Sequence, residues 1–181
     1  GTDTAINTAL AAIDNIRDTA TSMERVFVVE VMGRECGFIA LAVALAGGCE
    51  DVIIPERKFD LEVMCHDIVQ GNLKGKISWI IVVAEGAGKA ENIARQISDI
   101  TSLEARAVVL GHIQRGGRPT AFSRDLALRL GTLAVEHLLK GEADKAVALT
   151  CGKIVIVDFE TAIQKKVWNV EGLYNLIRKI S

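Results

Sequence analysis

Apolar residues recur at helical spacing at Ala5, Ile6, Ala9, Leu10, Ile13 and Ile16, which predicts an amphipathic helix over residues 4–21. The pattern then changes. Residues 26–32, VFVVEVM, form a β-branched run between Arg25 and Gly33 and read as a buried strand. A helix fits 37–46 and closes at Gly47-Gly48, and a short strand over 51–54 stops against Pro55. A helix at 61–72, a strand at 79–84, a helix at 89–98 and a strand at 106–110 follow. A Gly-rich loop leads into a helix over 122–139, and short strands at 147–149 and 154–157 precede one or two closing helices. Strands alternating with helices of this length imply crossover connections on a mainly parallel sheet. Continuous apolar strands such as WIIVVA suit a sheet covered on both faces. The expectation is one α/β domain over residues 1–181, a three-layer sandwich with helices on both faces.

Composition narrows the chemistry. Half the 181 residues are apolar and 24% are charged, ordinary for a globular protein. The formal net charge of −2 argues against general nucleic-acid binding, which needs a basic face. The longest apolar run, residues 38–46, is far short of the ~20 residues that cross a bilayer, so no membrane association and a cytoplasmic location are expected. Cys36, Cys49, Cys65 and Cys151 form no C-x-x-C pair and no zinc-site spacing with histidine. Reduced thiols and no resident metal are the expectation.

Ligands of open parallel sheets bind beyond the carboxyl ends of the strands. Three such ends carry polar clusters: Met32-Gly33-Arg34-Glu35, Glu85-Gly86-Ala87-Gly88, and the run from Gly111 to Pro119, GHIQRGGRP. Parallel strands share a direction, so the three should meet along one edge. Arg115 offers a planar fork for phosphate oxygens; His112 and Gln114 are further donors; ionised Glu85 only accepts, which suits sugar hydroxyls. This is the inventory of a sugar-phosphate pocket. His66 and His137 read as surface residues. Arg25 and Arg106 sit at the opposite ends of their strands; at ~3.3 Å per residue the seven positions from Arg25 to Met32 span about 23 Å. They are either plain surface charges or they serve a site on a neighbouring chain.

The runs VEVMGRECG (29–37), VAEGAG (83–88) and LGHIQRGGRPTAFSR (110–124), with the preceding DTAINTALAAIDNIRDTATSMER and the AGGCEDVIIPE stretch (46–56), resemble the fructose 6-phosphate-binding motifs of the phosphofructokinase family. The similarity runs through most of the chain and fades after about Gly152. It implies a phosphofructokinase-like α/β fold and an enzyme that phosphorylates fructose 6-phosphate to fructose 1,6-bisphosphate in glycolysis. It also implies that Met32, Gly33, Arg34, Glu85, His112 and Arg115 line the substrate pocket. Arg25 and Arg106 match arginines that family members supply to an adjacent subunit, usually within a homotetramer. Arg17, Glu50, Lys74 and Lys76 match contributions to an allosteric effector site. The family's donor-binding segment, G-G-D-G-[ST], and its T-I-D-N-D or T-I-D-G-D general-base segment do not occur in these residues. The chain therefore reads as the sugar-phosphate half, with no catalytic residue of its own, and is expected to be inactive alone. ATP or pyrophosphate, and most Mg2+ ligands, would engage the other half. A non-catalytic effector-binding module is the alternative.

Overall fold

The computed structural model describes residues 1–20, 25–164 and 170–180. In chain order the elements are α1 (Thr2–Ala20), β1 (Arg25–Val31), α2 (Phe38–Ala46), β2 (Asp51–Ile53), α3 (Leu61–Leu73), β3 (Ser78–Ala84), α4 (Ala90–Thr101), β4 (Ala105–Val109), a 3₁₀ turn (Gly111–Gln114), α5 (Ala121–Leu139), β5 (Lys145–Thr150), β6 (Lys153–Asp158), α6 (Phe159–Ala162) and α7 (Val170–Ile180). The expected end of the first helix at Thr21 lies outside the described residues.

The chain divides into two compact units, where a single domain over residues 1–181 was expected. The larger unit, Thr2–Gly117 with the closing helix α7, holds an all-parallel sheet of order β2-β3-β1-β4. Alternation of side chains across a strand sorts its core into two layers. Val26, Val28, Ile81, Val83 and Ile53 face α3 and α4, meeting Met64, Cys65, Ile68, Ile93 and Ile97. The opposite face, with Val29, Val31, Ile80 and Val82 buried, lies under α2, which is flanked by α1 and α7. The expected helix–sheet–helix sandwich is therefore present in this unit.

Local sequence places the helix ends. Asp60 Oδ1 accepts from the amides of Glu62 and Val63 at 3.0 and 3.2 Å and so caps α3. Gly71 lets α3 lie against an indole: a Cβ there would stand 2.4 Å from Trp79 Cζ2. Trp79 is nearly buried, and its Nε1 has no hydrogen-bond partner among the described residues.

The smaller unit, described over 118–164, contains α5, the antiparallel pair β5–β6 and α6. Thr120 caps α5 by accepting from the Ser123 amide at 3.1 Å. Neither α5 nor α6 has a buried residue. With β1–β4 parallel and only β5–β6 antiparallel among the described residues, the expected mainly parallel α/β fold is present. Cys151 and Gly152 both take positive φ, 50° and 76°, the two-residue turn that reverses a strand onto its neighbour. No helix among the described residues is long and apolar enough to cross a membrane.

Candidate functional site

β1, β3 and β4 end side by side, and the three polar clusters follow directly. Glu85 is the joint between two of them. Its amide donates to Val31 O at 3.0 Å, continuing the β1–β3 pairing by one residue. Its carboxylate then reaches across the strand ends, and Oε1 accepts from the amides of Gly33 at 3.1 Å and Arg34 at 2.9 Å. Those two amides, Arg34 first, hold the Glu85 carboxyl below its ordinary value against partial burial, with smaller help from Lys89 and Arg115. The turn is tight. Arg34 adopts φ 51°, and a Cβ on Gly86 would fall 1.9 Å from the Arg34 carbonyl oxygen. Only glycine fits there.

The third cluster is tied in by Gln114. Its Oε1 accepts from the Met32 amide at 2.8 Å and its Nε2 donates to Ala5 O at 3.3 Å. Gln114 is 4% exposed, so it is an internal brace rather than the ligand donor the sequence suggested. It turns the 3₁₀ segment so that His112 and Arg115, both exposed, flank the same opening. Met32, Arg34, Glu85, Gly86, Lys89, Gly111, His112 and Arg115 line a cavity of about 440 Å³. Of the expected pocket residues, Met32, Arg34, Glu85, His112 and Arg115 line it, and Gly33 supports it through its amide to Glu85. Lys89 was not singled out by the sequence reading.

Arg25 and Arg106 lie at the other edge of the sheet. Arg25 Nε donates to Glu104 Oε2 at 2.6 Å, and Arg106 Nε donates to Glu104 Oε1 at 2.7 Å. Both guanidiniums hold the Glu104 carboxyl below its ordinary value, Arg25 through the larger effect. Neither arginine lines the cavity of this chain.

The residues matched to an effector site form another corner of the larger unit. Arg17 Nη2 donates to the carbonyls of Gly47 and Gly48 at 2.6 and 2.9 Å, closing the C-terminus of α2. Glu50 is 5% exposed; its Oε2 accepts from the Ile80 amide at 2.6 Å, and Lys76 Nζ lies 3.3 Å from Oε1. Lys76 also stacks over Trp79, 4.7 Å from the ring centroid. Lys74 is the exposed C-cap of α3. Nearby Cys49 is buried, and desolvation pushes its thiol up to about 12. Among the described residues no group of three or more His, Cys, Asp or Glu could hold a metal ion.

The model of the phosphofructokinase family matches residues 1–138. The ATP-dependent 6-phosphofructokinase of Clostridium tetani is 49% identical over 181 residues, all of this chain and 57% of that protein. The chain thus spans little more than half the length of this curated relative. The solved phosphofructokinase of Saccharomyces cerevisiae overlays with a TM-score of 0.79 at 32% identity, covering 97% of this chain and 25% of that one. The pyrophosphate-dependent phosphofructokinase of Marinobacter aquaeolei gives 0.74 at 26% identity, covering 93% and 48%. With a family model spanning β1 to α5 and every strand-end cluster of the cavity, this chain belongs to the phosphofructokinase family.

Proposed function

We propose that this chain is the sugar-phosphate-binding part of a 6-phosphofructokinase, positioning fructose 6-phosphate for transfer of a phosphoryl group to its 1-hydroxyl. The observation that carries this reading is the Glu85 clamp. One carboxylate oxygen fixes the Gly33 and Arg34 amides, which leaves Oε2 to accept from sugar hydroxyls at the cavity wall. Arg115 and His112, on the facing segment, are suited to the ligand's phosphate: Arg115 as a bidentate fork and His112 as a donor. Arg34 stands at the reacting end, where a guanidinium can offset charge developing on the transferred group. Phosphoryl transfer relies mainly on positioning and electrostatic stabilisation. These residues supply the acceptor side of both.

A donor, ATP or pyrophosphate, and its Mg2+ would be held mostly by segments that these residues do not contain; relatives named for either donor match this chain. Arg25 and Arg106, at the far edge of the sheet, serve the cavity of a neighbouring copy, so the working form is a homo-oligomer. Titration calorimetry with fructose 6-phosphate, and glucose 6-phosphate as control, tests the pocket. Selective saturable binding that Arg115→Ala abolishes is the expected result. Equal binding of both sugars, or an Arg115→Ala variant that binds like the parent, overturns the assignment. Tighter binding of phosphoenolpyruvate or ADP than of sugar phosphate would instead favour an effector-binding module at Arg17, Glu50, Lys74 and Lys76.

A further inference from the structure

A buried carboxylate sits where the β1 pattern calls for an apolar residue. Glu30 is 5% exposed, and a buried charge is costly unless it is paired and hydrogen-bonded. Its two oxygens have separate partners. Oε2 accepts from the Ala90 amide at 2.9 Å, at the first turn of α4, and Oε1 accepts from Lys89 Nζ at 3.1 Å. Lys89 is the N-cap residue of α4, yet its side chain makes no capping hydrogen bond. The acceptor for that helix end comes from β1 instead.

The outcome is an ammonium fixed in position. A rim lysine ordinarily samples many rotamers. Here one of three donors is committed to Glu30 while the side chain stays 60% exposed. The remaining donors are at the cavity that Arg34, Glu85, His112 and Arg115 also line. Glu85 poses a problem for an anionic ligand, because a carboxylate in the same cavity repels phosphate. A cation beside Glu85 offsets that repulsion, and Lys89 is electrostatically coupled to it in both directions.

We propose that Lys89 is a further ligand-contacting residue of this pocket, presenting its ammonium to the phosphoryl oxygens of the bound sugar phosphate, and that Glu30 is the positioning residue that aims it. This rests on the pocket reading above and adds a cation to it. The same carboxylate joins the start of α4 to β1, so the loop carrying Glu85 and the ammonium are set by one buried group.

The test is calorimetric titration of fructose 6-phosphate into the full chain and its variants. Lys89→Met is expected to weaken binding about two- to fivefold, the range for a partly exposed charge pair. Lys89→Arg is expected to restore most of that loss, which a purely structural role for the methylene stem would not require. Glu30→Gln, which keeps the ammonium but releases it, is expected to weaken binding by less than Lys89→Met. If Lys89→Met fails to fold, the double variant Glu30→Gln/Lys89→Met removes the buried charge along with its partner and carries the same comparison. Lys89→Met binding like the parent while Arg115→Ala loses binding would overturn the role of Lys89 and leave the pocket standing. A folded parent that binds no sugar phosphate would overturn the pocket and this proposal together.

Discussion

Arg25 and Glu104 lie just before the first rung of the β1–β4 pairing, Val26 with Ala105, joined by an Nε–Oε2 hydrogen bond of 2.6 Å. Val26 donates its amide to Glu104 O at 3.0 Å, so the backbone and side-chain contacts are neighbours. Glu104, immediately before β4, is two residues from Arg106, whose guanidinium reaches the same carboxylate. An exposed pair of this kind adds little stability. Glu104→Gln is therefore expected to leave the thermal midpoint nearly unchanged. In an assembled oligomer it should raise the KM for sugar phosphate with little change in kcat, because it loosens arginines assigned to a neighbour's phosphate. Steady-state kinetics of the assembled enzyme check this.

Gly86 is the residue least open to substitution at the site. Gly86→Ala puts a methyl group against the Arg34 carbonyl, and backbone on both sides must move. The expected cost is at least about 1–3 kcal/mol, the usual range for overpacking, read as a lower urea midpoint. Sugar-phosphate binding should fall with it, since the same turn carries the amides that Glu85 holds.

Asp51 anchors the closing helix. It is 2% exposed, with Tyr174 Oη donating to Oδ1 at 3.2 Å and Arg178 Nη1 to Oδ2 at 3.0 Å. Arg178→Met leaves that carboxylate buried without its cation. The expected loss is about 2–3 kcal/mol, below the fully buried range because Arg178 is a third exposed. Asp51→Asn/Arg178→Met should recover part of it. Denaturant unfolding of the three variants measures the coupling.

Acid should act in two opposing ways. Glu85 and Glu104 are lowered from 4.5, so their contribution is present above that value and is lost as pH falls through their folded values. Asp51 is raised from 3.8 by burial, so its contribution has the opposite sign: it is present below 3.8 and lost as pH rises through the folded value. Thermal melts between about pH 7 and about pH 3 are expected to show net acid destabilisation. Glu85→Gln should flatten that slope and Asp51→Asn should steepen it.

Much of this arrangement was legible in the chain. Within β3 the apolar run is unbroken after Ser78, and within β1 only Glu30 interrupts it after Arg25, the pattern of strands covered on both faces. The strand-end glycines and Arg115 stand out because those residue types are needed where backbone or phosphate approaches closely. The position of Arg25 and Arg106 followed from strand length alone. Other features needed three dimensions. Glu30 looked like one polar residue in a strand, and its partners, Lys89 and the Ala90 amide, lie about sixty positions away. Gln114 has the chemistry of a ligand donor, but the 3₁₀ turn points it inward to the Met32 amide. The β5–β6 reversal was hidden because its turn is Cys-Gly, not the Asn-Gly or Asp-Gly that ordinarily marks one.

Trp79 gives the larger unit an optical reporter at an informative place. The indole is near the start of β3, under Gly71 and beneath the Lys76 ammonium, whereas Glu85 and the cavity lie past the far end of the same strand. Its emission should therefore follow events at the Glu50–Lys76 corner and stay silent to filling of the sugar-phosphate cavity. The chain has a second tryptophan, Trp168, so the measurement uses a Trp168→Phe background. There, a spectral change on adding sugar phosphate would mean that β3 carries the signal along its length.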